Sequence, residues 1–234
     1  MLTHVEDLYS ELDDLLAGFS TILGNRYLKR QRQQAEDLQK TIFNAMLLID
    51  DWLVVQKNWI YLENIFSSND IKVKLREENA KFDQVDKGFK AHMRATFRSK
   101  LVHRNLGQHD TWIKYKETLA DIQKALENYL EDKRNDFPRF YFLSNDELIE
   151  ILAKANDIEA IQRNMRKCFE SVAKLQFVEE SRYIQGVTSL EDETLKLYKS
   201  NIAAKGEIEV WLKQLEVNMD ETLRKLMFKG YSDY

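Results

Sequence analysis

One cysteine, one proline and seven glycines in 234 residues each exclude something. A lone thiol, Cys168, rules out an internal disulfide framework and fits a reducing compartment. Proline and glycine fall far below ordinary usage, so few turns punctuate the chain and long helices are favoured. No apolar run approaches the roughly 20 residues of a membrane-spanning helix. The opening "MLTHVEDLYSELDDLL" is acidic where a secretory leader would be apolar, so a soluble intracellular chain without a cleavable signal is expected. Charge of one sign is missing too. The 35 basic and 39 acidic residues are interspersed, which leaves no field to gather nucleic acid or an anionic membrane, and neither is expected as a partner. Also absent are GxxxxGK[ST], GxGxxG, GxSxG and CxxC. No catalytic, cofactor-binding or metal-ligating residue is therefore nominated, and none of these activities is expected of the chain.

What is present is helical periodicity. With 44% hydrophobic and 32% charged residues, the chain can bury a core as one elongated domain or two small ones with solvated charged faces. Val5, Leu8, Leu12, Leu15, Leu16 and Phe19 line one face of a first helix that stops near Gly24-Asn25. From about Arg26 the pattern resumes through Leu38, Ile42, Ala45, Met46, Ile49, Leu53, Gln56 and Ile60, predicting a strut of roughly 50 Å or more. Trp52 and Trp59 are seven apart and share a face with Gln56 between them, a buried aromatic seam rather than a ligand box. "SSND" ends the strut, and Asp70 favours the start of a short helix. Further helices are expected from about Asn79, with Phe82, Val85, Phe89, Met93 and Phe97 on one face, and from about Thr111 to Arg134. His103 and His109, between these two, are read as loop histidines.

The least helical stretch is "FPRFYFLSNDE", Phe137 to Glu147. Pro138 must break the preceding helix. Phe137, Pro138, Phe140 and Phe142 are expected to form a short, extended, largely buried aromatic connector that locks helices together, with Arg139 exposed. Ser144 and Glu147 have capping-box spacing for the next helix, which should end near Asn156. Ile161, Met165, Cys168, Phe169 and Val172 suggest another. Tyr183–Thr188 and Thr194–Tyr198 are β-rich runs around an acidic turn, a hairpin whose tip lacks EF-hand ligand spacing. A final helix follows Gly206. The fold class expected is mainly α: an elongated multi-helix bundle or rod with a short extended aromatic segment and a small β-hairpin near the C-terminal third. The helical part with the strut would span 1–136, and the part with connector, hairpin and terminal helix 137–234.

"WLVVQKNWIYLENIFSSNDIKVKL", "VDKGFKAHM", "IQKALENYLEDKRNDFPRFYFLSNDELIEIL", "MRKCFESVAKLQF" and "GEIEVWLKQLEVNM", in that order over about Asp50 to Met219, resemble the linker region (N-terminal region 2) of dynein heavy chains. Arg76 stands where that family often has proline. The run "AAKGEIEVWLKQLE" leans toward the ciliary, axonemal members. The resemblance implies an arched helical rod that transmits ATP-driven change from a ring of AAA+ modules to the motor's tail. The implied partners are that ring, and through the parent other dynein subunits and microtubules. ATP and Mg would belong to the ring and not to this piece, in the cytoskeleton of a cilium. On the residues alone, a static helical scaffold or a protein-interaction module remains the alternative.

Overall fold

The computed structural model describes residues 1–99, 106–154, 157–178, 181–199 and 202–234. In chain order the helices are α1 (Glu6–Leu23), α2 (Arg32–Ile65), α3 (Asn69–Lys74), α4 (Arg76–Arg98), α5 (His109–Asp136), α6 (Asn145–Ala153), α7 (Ile158–Cys168) and α8 (Ile208–Asp233). The strands are β1 (Val172–Phe177), β2 (Tyr183–Ser189), β3 (Thr194–Lys196) and β4 (Ile202–Ala203). The mainly-α expectation holds, with a small antiparallel sheet in the C-terminal third. Two compact units form: Met1–Ser67 with Leu75–Lys124, and Ser68–Lys74 with Ala125–Tyr234.

In the first unit, α2 has 34 residues, about 50 Å at 1.5 Å per residue. It starts at Arg32 and not at Arg26, because the Asn25 side chain accepts the Tyr27 N–H at 2.9 Å and bends the chain into a turn. Sequence periodicity suggested one buried face; α2 has two. Ile42, Met46, Ile49 and Leu53 are half-buried, on the side where Ser20 of α1 meets Gln39 at 3.1 Å. Leu48, Trp52, Val55, Trp59 and Leu62 are buried on the side that meets α4 and α5. Leu38 and Ile60, expected inside, are exposed. The helix α4 begins earlier than Asn79, at Arg76, with Glu77 and Glu78 in its first turn, where carboxylates suit the positive end of a helix.

In the second unit, Val187 of β2 pairs with Leu175 of β1 on one edge and with Leu195 of β3 on the other, while Ile184 pairs with Ile202 of β4. The β2–β3 hairpin is the one expected from sequence. Strand β1 is not, because Val172 continues the helical spacing of Met165, Cys168 and Phe169. The tip of the β2–β3 hairpin is closed by Ser189, whose hydroxyl accepts N–H groups from Glu191 at 3.2 Å and Glu193 at 3.1 Å. Buried Ile161 and Met165 of α7 and Trp211, Leu212 and Leu215 of α8 contribute to this unit's core.

Candidate functional site

The residues singled out from sequence fall into two groups, one in each unit. In the first unit, Trp52 stacks on Trp112 of α5, with ring centroids 4.6 Å apart, and Trp59 stacks on Phe89 of α4 at 4.7 Å. Phe89 meets Trp112 edge to face at 6.0 Å. The two tryptophans are thus joined through rings on two other helices, each geometry being one that aromatic quadrupoles favour. Trp59 also donates its indole N–H to Asp86 Oδ1 at 2.9 Å, and Lys90 bridges Asp86 at 2.8 Å and Glu63 at 3.2 Å. Gln56 turns elsewhere: it accepts the Leu2 N–H at 2.8 Å and donates to the Leu2 carbonyl at 2.9 Å. His109 is not a loop residue but the first residue of α5. It lies 2.9 Å from Asp51, which also takes Lys116 at 2.7 Å. Burial works to raise the Asp51 pKa, but hydrogen bonds from Lys116 and His109 prevail and lower it. His103 lies outside the described residues.

In the second unit the connector is not extended. Pro138–Phe142 is a 3₁₀ turn with proline at its start, between extended Phe137 and Leu143. Proline fixes the φ a helical first position needs and lacks only an N–H that would have no partner there. A period of three then places Phe137, Phe140 and Leu143 inward. Phe137 and Phe140 pack edge to face at 5.0 Å, and Phe137 leans on Phe169 at 6.1 Å. Phe142 does not lock anything: it is 69% exposed, because it falls out of phase with that period. Pro138 is exposed.

Arg139, expected on the surface, is instead a half-buried tie. Its Nε donates to Glu216 of α8 at 2.8 Å and its guanidinium donates to the Cys168 carbonyl at 3.0 Å. The same group lies over the Phe169 ring at 4.7 Å. One planar fork thereby holds the connector, the C-terminal end of α7 and α8. Ser144 and Glu147 form the reciprocal capping box of α6, the Glu147 N–H reaching Ser144 Oγ at 3.3 Å and the Ser144 N–H reaching Glu147 Oε2 at 3.0 Å. Glu147 also pairs with Lys167 of α7. The Lys167 contact first, then the Ser144 N–H, holds its carboxyl below the usual range.

Sequence reading missed three fasteners. Arg134 donates to Asn145 at 2.8 Å and to the Leu143 carbonyl at 3.3 Å, and Tyr141 donates to Glu131 at 2.6 Å. Lys133 pairs with Glu209 and, at 3.1 Å, with Glu207, which also takes Lys74. Burial alone would lower the Lys133 pKa, but its hydrogen bonds to Glu209 and Glu207 outweigh that and raise it. Glu207 is pulled down to about 2, foremost by Lys74. In the third fastener, Asn218 donates to the Lys199 carbonyl at 2.5 Å, and the hydroxyl of Thr222 accepts the Tyr198 N–H at 3.0 Å. All pair ordinary surface residue types nine or more positions apart, beyond the reach of helix or cap spacing, so local pattern carries no signal for them.

Burial pushes the Cys168 thiol up to about 11, which leaves almost no thiolate to act as a nucleophile at neutral pH. Among the described residues no group of three His, Cys, Asp or Glu side chains is placed to hold a metal ion, and no helix is long and apolar enough to cross a membrane. Stacked rings, main-chain clasps and multi-armed ion pairs define a helical module whose conspicuous side chains fasten segments together.

The chain belongs to the dynein heavy chain family: residues 1–230 match the family described as dynein heavy chain, N-terminal region 2. It is 35% identical over 254 residues to Dynein axonemal heavy chain 6 of Homo sapiens, covering 100% of this chain and 6% of that protein. Dynein axonemal heavy chain 3 of Homo sapiens is 36% identical over 241 residues, again covering 100% of this chain and 6% of the relative. Dynein axonemal heavy chain 2 of Homo sapiens is 35% identical over 234 residues, 97% of this chain and 5% of the relative. The chain thus spans about 6% of the length of the relatives it matches.

Proposed function

We propose that this chain is a mechanical linker segment of an axonemal microtubule motor, carrying ATP-driven conformational change from the AAA+ ring of the same heavy chain toward its tail. The observation that carries the reading is Arg139, whose one guanidinium ties connector, α7 and α8. Force transmission needs segments that move together, with motion confined to a few element ends, and such ties supply that. The family match over residues 1–230 and the axonemal names of the relatives support the setting. In this reading ATP and Mg are bound by the parent's ring, the other dynein subunits and the microtubule are met through the parent, and neither nucleic acid nor membrane is a partner.

The test is Arg139→Glu in a full-length motor, read by microtubule gliding velocity and by microtubule-stimulated ATPase rate. A transmitting linker loses gliding while much of the ATPase rate remains. Equal loss of both, or loss of neither, would refute the proposal. Micromolar ATP binding by the isolated chain would refute it as well.

A further inference from the structure

Helix α1 carries an apolar stripe that its own fold leaves uncovered. Leu8, Leu15 and Ile22 recur every seven residues and are 39%, 50% and 48% exposed. The part of this apolar face turned toward α2 is the adjoining one, that of Leu12, Leu16, Phe19 and Leu23, all half-buried. At 1.5 Å per residue the exposed stripe runs about 21 Å. Single exposed apolar residues are ordinary, but three that recur one above another, with Glu11 and Gly18 between them, leave an open apolar row on which a second helix can pack.

Two features define what fits there. Gly18 sits within the seam, and a Cβ built on it would touch nothing within 4 Å, so a partner can approach the backbone. With Glu11, Asp14, Leu15, Phe19 and Ile22 it lines an open cleft of about 470 Å³. The charge is one-sided. Glu6, Asp7, Glu11, Asp13 and Asp14 are acidic, and no lysine or arginine occurs before Arg26. By 3.6-residue geometry Asp7, Glu11 and Asp14 border the seam along one edge. An anionic lipid surface or a nucleic acid would be repelled, and a second α1 would bring like charges together.

We propose that the Leu8–Leu15–Ile22 face of α1 docks an amphipathic helix of a partner protein, with a leucine-type seam at heptad spacing flanked by lysine or arginine. The acids steer and orient that helix; the seam supplies the buried area.

The probe is a synthetic helical peptide of about three heptads, with leucine at the seam positions and lysine beside them. A second peptide replaces every lysine by glutamate. Binding of each to the chain Met1–Tyr234 is followed by fluorescence anisotropy at low and high salt. The lysine peptide should bind and weaken as salt rises, because exposed charges are screened. Leu15→Asp and, separately, Glu11→Lys with Asp14→Lys should each weaken it about tenfold or more, the loss of roughly one anchor or of the steering charges. Circular dichroism should show both variants folded, since these side chains face solvent; Ile22→Asp serves as a second seam variant. Equal affinity for the glutamate peptide, or unchanged binding to both seam variants, would overturn the proposal. So would a concentration-dependent dimer of the chain that Leu15→Asp abolishes, since a second copy would then own the face.

Discussion

Replacing Phe140 by alanine tests whether the connector is a packed element or a surface loop, and Phe142→Ala two residues away is the internal control. Phe140 is 0% exposed and Phe142 is 69% exposed. Removing a fully buried phenylalanine costs about 3–5 kcal/mol through lost transfer energy and the cavity left behind, while a surface truncation stays within about 0.5 kcal/mol. For a chain of this size each kcal/mol shifts the melting temperature by roughly 2–4 °C, so Phe140→Ala should melt roughly 6–20 °C early. Urea titration followed by far-UV circular dichroism should show a lower midpoint at unchanged slope, the sign of a stability loss without a change in the unfolded state. Phe137→Ala with Phe140→Ala closes a double-mutant cycle, whose coupling should be about 0.5–1.5 kcal/mol for an edge-to-face pair. If Phe142→Ala cost as much as Phe140→Ala, or if Phe140→Ala stayed within about 0.5 kcal/mol of the parent, the period-three packing of the turn would be wrong.

Lys133→Met should cost about 3–5 kcal/mol in urea titration, because it strands the Glu209 carboxylate in a buried site, and Lys133→Met with Glu209→Leu should recover most of that loss. Glu207, held at about 2 against an ordinary 4.5, should make stability fall with acidification in one window: above 4.5 its contribution is complete, and between 4.5 and about 2 the unfolded chain binds the proton first, so the contribution is lost as pH drops. Glu207→Gln should flatten the urea midpoint against pH across that window; an identical slope in both proteins would contradict it. Gly186→Ala should destabilise the sheet by about 1–3 kcal/mol and speed amide exchange in β2 and β3, since its Cβ would lie 2.8 Å from the Leu195 carbonyl. Gly230→Ala, where a Cβ meets nothing within 4 Å, should be neutral or stabilising by up to about 1 kcal/mol.

The helices were legible because periodicity of 3.6 survives in long glycine-poor segments. Hidden were the places where that period is imitated or interrupted. Strand β1 imitates it: register shifts between Val172 and Lys174 and between Gln176 and Phe177 break the alternation of a strand, and buried Val172 and Leu175 end up three apart. In the connector, Pro138 marked the break, but aromatic bulk does not separate a strand from a 3₁₀ turn. The spacing Phe137, Phe140, Leu143 did carry the answer as a period of three. In the candidate site, the capping box was legible because both partners lie within four residues. Arg139 was not, because Glu216 and the Cys168 carbonyl are set beside it only by the fold of the second unit.

Gln56 holds Leu2 by its N–H and its carbonyl alone. Such a grip does not read the side chain, so the clasp itself lets position 2 drift through any residue except proline, which has no N–H to offer. The constraint falls wholly on the other partner: glutamate at 56 could not donate and asparagine is one carbon shorter. The backbone at position 2 is thereby held by a residue 54 positions away, by a contact that places no demand on the side chain it holds.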